Sequence, residues 1–167
     1  MKKEKVLIIL SGLTGSGKTQ TLNSVICKLM EVYPKANYEF VGETKTINCA
    51  DTPIRGDRRV VFSNVGNSKK NVGIATAGDN GKEVKNAMDL FDKHHCDIVI
   101  CATKVVISTE KGSLSAMQQE IIKRMHDTQI IPLFKIMFIR EKAQHQSYVG
   151  NDEFIKDVIL NQLVTFI

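Results

Sequence analysis

Gly12-Leu13-Thr14-Gly15-Ser16-Gly17-Lys18-Thr19 follows closely on the apolar run Val6-Leu7-Ile8-Ile9-Leu10. Its glycines, lysine and threonine fall at the spacing G-x-x-x-x-G-K-[ST]. Glycine has no Cβ, so such a loop can turn several backbone N–H groups inward around phosphate oxygens. A helical pattern opens near Lys18, and a helix N-terminus adds partial positive charge at the same point. Lys18 is placed to reach the β- and γ-phosphates of a nucleotide. Thr19 offers a hydroxyl to a magnesium ion, which keeps most of its waters. Gly12, Thr14, Gly15, Ser16, Gly17, Lys18 and Thr19 are therefore the expected phosphate-binding residues, and Lys18 is also a candidate catalytic residue.

The loop lies between a strand-like run that is apolar on both faces and an amphipathic helix. Leu22, Val25, Ile26, Leu29 and Met30 recur at helical spacing, and that helix should end near Tyr33, before Pro34. In this context, Lys5–Tyr33 resembles the P-loop NTPase superfamily, with Gly12–Thr19 as its Walker A motif. The likeness weakens over the rest of the chain. It implies a three-layer α/β fold, a nucleoside triphosphate and Mg2+ as ligands, and a second, Walker B carboxylate for the metal.

The 167 residues suit one domain over 1–167 with a sizeable core. The net charge of +5 fits a handler of polyanions such as nucleotides, but the basic residues are spread out and do not argue for nucleic acid. No run approaches the roughly 18 apolar residues of a membrane span, so no membrane partner and a cytoplasmic location are expected. Of the four cysteines, Cys27 and Cys101 have apolar neighbours and read as core thiols of a reducing compartment. His94-His95-Cys96 reads as a helix end rather than a metal cluster.

Further along, Tyr38, Phe40 and Val41 alternate like a strand. The polar segment Gly42–Asp57 then reads either as a surface loop or, as the resemblance implies, as the region that meets a second substrate or acts as a switch. Arg59–Ser63 and Asn71–Thr76 flank Gly66-Asn67-Ser68-Lys69 and predict a β-hairpin. Asp79 follows its second strand. At the end of a strand beside that of the P-loop, it is the Walker B candidate, holding magnesium with Thr19 and acting in catalysis. Ala77 and Gly78 precede it where the motif has bulky apolar residues. The alternative role for Asp79 is to cap the next helix.

Helices are expected over Lys82–His95 and Ser113–His126, and a buried strand over Asp97–Ala102. Thr103, at the end of that strand, is a candidate to contact the γ-phosphate. A last strand over Leu133–Ile139 leads to Arg140, a candidate near the base. Asn151 or Asp152 is expected to cap a final helix bearing Phe154, Ile155, Val158, Leu160, Leu163 and Val164. The alternation predicts an α/β fold, with a mostly parallel sheet, helices on both faces and one antiparallel hairpin. Ligand should lie at the carboxyl ends of the strands.

Three functions fit these residues. The first is magnesium-dependent ATP hydrolysis at the β–γ bond. Guanine is disfavoured, because Ala102-Thr103-Lys104-Val105 stands where Asn-Lys-x-Asp would be, and Asp79-x-Gly81 is one residue short of Asp-x-x-Gly. Asn80 follows Asp79 in place of a catalytic Glu, and Glu83 could at best substitute. The second is a small-molecule or nucleotide kinase. There Arg55, Arg58 and Arg59 would grip a phosphate acceptor, and Asp51 or Asp57 would take its proton. Lys104–Met125 is thin in the arginines expected of a kinase lid. The third is a non-catalytic regulatory subunit that docks through Val164-Thr165-Phe166-Ile167, although such a terminus is more often packed in its own core.

Overall fold

A computed structural model describes residues 5–13, 15–42, 46–51, 53–104, 113–135 and 146–167. Along the chain run β1 (Lys5–Gly12), α1 (Lys18–Val32), β2 (Asn37–Phe40), β3 (Arg59–Val65) and β4 (Lys70–Ala75). They are followed by α2 (Gly81–Lys93), β5 (Ile98–Lys104), α3 (Ser113–Arg124), β6 (Thr128–Lys135) and α4 (Gln146–Val164). The strands form one six-stranded sheet in the order β2-β3-β4-β5-β1-β6. β1 pairs in parallel with β5 and β6, and β4 pairs in parallel with β5. The sheet is thus mainly parallel, as expected. The β3–β4 hairpin is present, and β2 adds a second antiparallel pairing to β3.

β1 is apolar on both faces because both faces are covered. Val6, Ile8 and Leu10 join a core cluster with Leu22, Val25, Ile26 and Leu29 of α1 and Ile155, Ile159 and Leu163 of α4. Leu7 and Ile9 point the other way, toward Val84, Ala87, Met88 and Phe91 of α2 and Met117 of α3. Helices therefore cover both faces of the sheet. Arg124 of α3 ties that layer together through ion pairs with Glu120 and with Asp92 of α2.

Several boundaries differ from expectation. β6 starts at Thr128, five residues before the expected Leu133, and runs through Pro132. Proline is tolerated there because β6 is an edge strand. α4 starts at Gln146, so Asn151 and Asp152 lie inside it and do not cap it. Its buried stripe is Ile155, Ile159 and Leu163, whereas Phe154 and Val164 are about two-thirds exposed, at 65% and 66%. Phe166 and Ile167 pack on the chain's own core, and Ile167 O accepts the Ser68 N–H of the hairpin turn at 3.3 Å.

Cys27 is not a core thiol: it forms a disulfide with Cys49. Cys96 and Cys101 are free and buried. Burial pushes both thiols up to about 12, helped at Cys96 by the Asp97 and Asp92 carboxylates. His94 faces Glu39, with Nδ1 3.1 Å from a carboxylate oxygen. Among the described residues, no helix is long and apolar enough to cross a membrane.

Candidate functional site

β1 ends where Ser11 pairs with Thr103 and Gly12 with Lys104, and the glycine-rich loop leaves from this carboxyl edge of the sheet. Gly15 and Gly17 take φ of 77° and 79°, the left-handed region that side chains avoid. Ser16 N–H donates to Leu13 O at 3.2 Å, closing the turn. Lys18 folds back along the loop, and its ammonium donates to Gly12 O at 3.1 Å and Leu13 O at 2.8 Å. Burial lowers the Lys18 pKa; the Asp79 charge opposes that shift and the Lys104 charge adds to it.

Three observations show that the loop suits an anion. A Cβ added at Gly15 would meet nothing within 4 Å, so the loop borders open space. The Ser16 hydroxyl is buried without a hydrogen-bond partner. α1 begins with no side-chain cap and no acidic residue in its first turn. Its leading amides, at Lys18, Thr19 and Gln20, therefore have no acceptor within the helix. α2 is built the opposite way. Asn80 Oδ1 accepts the Glu83 N–H at 3.0 Å, and Glu83 Oε2 accepts the Asp79 N–H at 2.9 Å. Asn80 is the cap, so the Asp79 carboxylate is not spent on that role, and Glu83 is occupied with the same turn.

Asp79 reaches the loop by a path that sequence reasoning did not foresee. β4 is not beside β1, because β5 lies between them. After β4 the chain crosses the end of β5, where Gly78 O accepts the Lys104 N–H at 3.1 Å. A Cβ at Gly78 would stand 1.9 Å from Ala102 O, so only glycine permits this crossing. Thr76 is held on the way: its hydroxyl accepts the Arg58 N–H at 2.8 Å, and its carbonyl lies 3.4 Å from the Thr19 hydroxyl.

The facing wall comes from the segment before β3. Asn23 of α1 donates to Ile54 O at 3.2 Å and Gly56 O at 3.0 Å. The buried Arg58 guanidinium donates to Arg55 O and Gly56 O, both at 2.8 Å, and to Thr46 O at 3.2 Å. Asp57 accepts the Thr19 hydroxyl at 3.2 Å. Between these walls lies a cleft of about 400 Å³, bordered by Lys18, Thr19, Arg55, Gly56, Gly78 and Asp79 among others.

The structure thus brings Gly15, Gly17, Lys18, Thr19, Asp79 and Arg55 to one cleft. Ser16 is buried in the same loop, and Gly12 ends β1. Thr103 is fully buried and does not line the cleft. Arg58 is committed to backbone carbonyls, and Arg59 lies in β3 beside Gly42. Neither lines the cleft. Asp51 accepts the Asn48 side-chain amide at 2.7 Å, in a turn of its own. Thr14 and Arg140 lie outside the described residues. Sequence reasoning missed Asn23. Its signal was a polar residue set into the apolar stripe Leu22, Val25, Ile26, where it is fully buried.

Among the described residues, no group of three or more His, Cys, Asp and Glu gathers to hold a metal. The Thr19 hydroxyl and the Asp57 and Asp79 carboxylates are oxygen donors of the type magnesium takes. Magnesium is commonly held by one or two carboxylates together with substrate phosphates. The donor chemistry therefore fits that ion.

No protein-family model, no curated protein and no solved structure matches the chain.

Proposed function

We propose that the chain is a P-loop NTPase with the three-layer fold of that superfamily, binding ATP with magnesium and hydrolysing the β–γ bond. The observation that carries this reading is the glycine-rich loop itself. It borders open space at Gly15 and holds an unpartnered buried hydroxyl at Ser16, next to a desolvated Lys18. Asp79 lines the same cleft. A cytoplasmic setting belongs to the same reading, while the Cys27–Cys49 disulfide removes the core-thiol argument for a reducing compartment.

In this reading the amides of the loop and of the first α1 turn bind phosphate oxygens. Lys18 exchanges its two carbonyl partners for the β- and γ-phosphates. Thr19, Asp57 and Asp79 would hold the magnesium, which would supply charge neutralisation to the phosphates. Burial of Lys18 and Ser16 keeps the donors in place before substrate arrives, so little reorganisation is needed when charge shifts to the leaving oxygen. The chain's contribution is positioning and charge neutralisation.

Hydrolysis is favoured over transfer because the arginines do not converge. Of Arg55, Arg58 and Arg59, Arg55 lines the cleft, while Arg58 holds the backbone of the wall. Transfer to a small acceptor is the second reading, and the specific observation in its favour is Arg55 on the wall facing Lys18. A non-catalytic regulatory role is the third. Incubating the protein with γ-labelled ATP, magnesium and a metabolite pool separates them. Label in free phosphate supports hydrolysis, and label in a metabolite supports a kinase. Binding without turnover supports the regulatory role.

A further inference from the structure

The wall that faces the glycine-rich loop is fastened to α1 at three points on one helical face, the first being the Thr19 hydroxyl bonded to Asp57. Asn23 holds the carbonyls of Ile54 and Gly56, and Cys27, about one turn later, carries the disulfide to Cys49. Cys49 sits in a small turn, where Asp51 N–H donates to Asn48 O at 3.2 Å and the Asn48 amide donates to Asp51. Cys49 is exposed and Cys27 half-buried, so an outside thiol can reach the bond. The remaining cysteines, Cys96 and Cys101, are buried and cannot compete for it. Downstream of Cys49 the same segment supplies Pro53, Ile54, Arg55 and Gly56 to the cleft, and Asp57 to the Thr19 hydroxyl.

We propose that Cys27–Cys49 is a reversible thiol–disulfide exchange site that controls the nucleotide cleft by fastening or releasing the wall that carries Arg55 and Asp57. This rests on the nucleotide-binding reading above. The reductant is a dithiol, either small or on a protein. Its thiolate attacks Cys49 Sγ, the Cys27–Cys49 bond breaks, and Cys27 leaves as a thiolate and takes a proton. The second thiol of the reductant then attacks the mixed disulfide. The reductant becomes a disulfide, and Cys49 leaves and is protonated in turn. Two electrons and two protons pass to the protein, and a disulfide oxidant reverses the step. Release removes one of the wall's attachments and leaves the hydrogen bonds of Asn23, of Asp57 to Thr19 and of Arg58 to Thr76, so the arrangement that presents Arg55 and Asp57 is less populated.

The test compares the full chain oxidised, the chain reduced with dithiothreitol, and Cys49→Ser. Thiol titration should count two free thiols in the oxidised chain and four after reduction. ATP titration should show affinity falling about tenfold on reduction, as when the competent arrangement drops to about a tenth of molecules. Amide exchange over residues 46–58 should accelerate. Cys49→Ser should behave like the reduced chain and ignore dithiothreitol. Equal ATP affinity of the oxidised and reduced forms overturns this proposal and leaves the nucleotide reading standing. Tighter binding by the reduced form, or unchanged exchange over 46–58, also overturns it. Failure of every form to bind ATP overturns the nucleotide reading and the proposal together.

Discussion

Lys18 is held by two backbone carbonyls and is largely buried, so its charge is poorly solvated beside the loop. Lys18→Ala should weaken ATP binding about a hundredfold, the loss expected for a charged hydrogen-bond donor to phosphate; unchanged affinity in a titration would remove the central claim. Asp79→Asn keeps the side-chain shape and removes the charge. Turnover should fall about a hundredfold, with magnesium dependence flattened and ATP affinity much less affected. Wild-type turnover would leave Asp79 without a chemical role, since Asn80 already caps α2. The buried thiols govern alkaline stability. Cys96 and Cys101 stay protonated up to about 12 when folded, against 9.0 for a free thiol. Unfolding therefore releases their protons above 9, and their contribution is complete below 9 and lost as pH rises toward 12. Lys18 acts with the opposite sign in the window below 10.5, because its folded pKa is lowered. Lys18 therefore opposes the thiols below 10.5, and above it the two thiols together give up to about 2.7 kcal/mol of lost stability per pH unit. Urea midpoints measured from pH 8 upward would show it, and a flat profile would contradict it.

At the scale of elements, the crossing at Gly78 joins fold to site. Gly78→Ala should cost about 2 kcal/mol, because the new methyl meets backbone that cannot swing aside. It should also lower turnover, since Asp79 moves with it. A denaturant midpoint equal to wild type would show that the crossing can relax. β1, α1 and the β3–β4 hairpin were legible in the sequence because each carries its own periodicity and turn residues. α4 was legible as a helix but not in its facing. Apolar residues surround much of it, and only contact with α1 and β1 selects Ile155, Ile159 and Leu163 over Phe154 and Val164. The start of β6 was hidden by Pro132, which reads as a break until the strand is seen to lie at an edge.

At the scale of the whole molecule, the disulfide closes a loop with a sequence separation of 22 residues. Its loss should cost about 3 kcal/mol by the loop-entropy relation. Denaturation of Cys49→Ser beside the oxidised chain would measure this, and equal midpoints would show that the tether adds no stability. The glycine-rich loop and the α/β alternation were determined by the sequence alone. Both are local: glycine spacing sets which backbone angles are open, and apolar period sets strand or helix. The opposite wall was decided only by tertiary structure. β5 entering between β1 and β4, Asn23 and Cys27 fastening residues 46–58, and Arg55 alone among three arginines facing the cleft all depend on contacts far apart in sequence. Such contacts leave no periodic trace, because each is made once, by a single side chain meeting backbone or sulfur from another element.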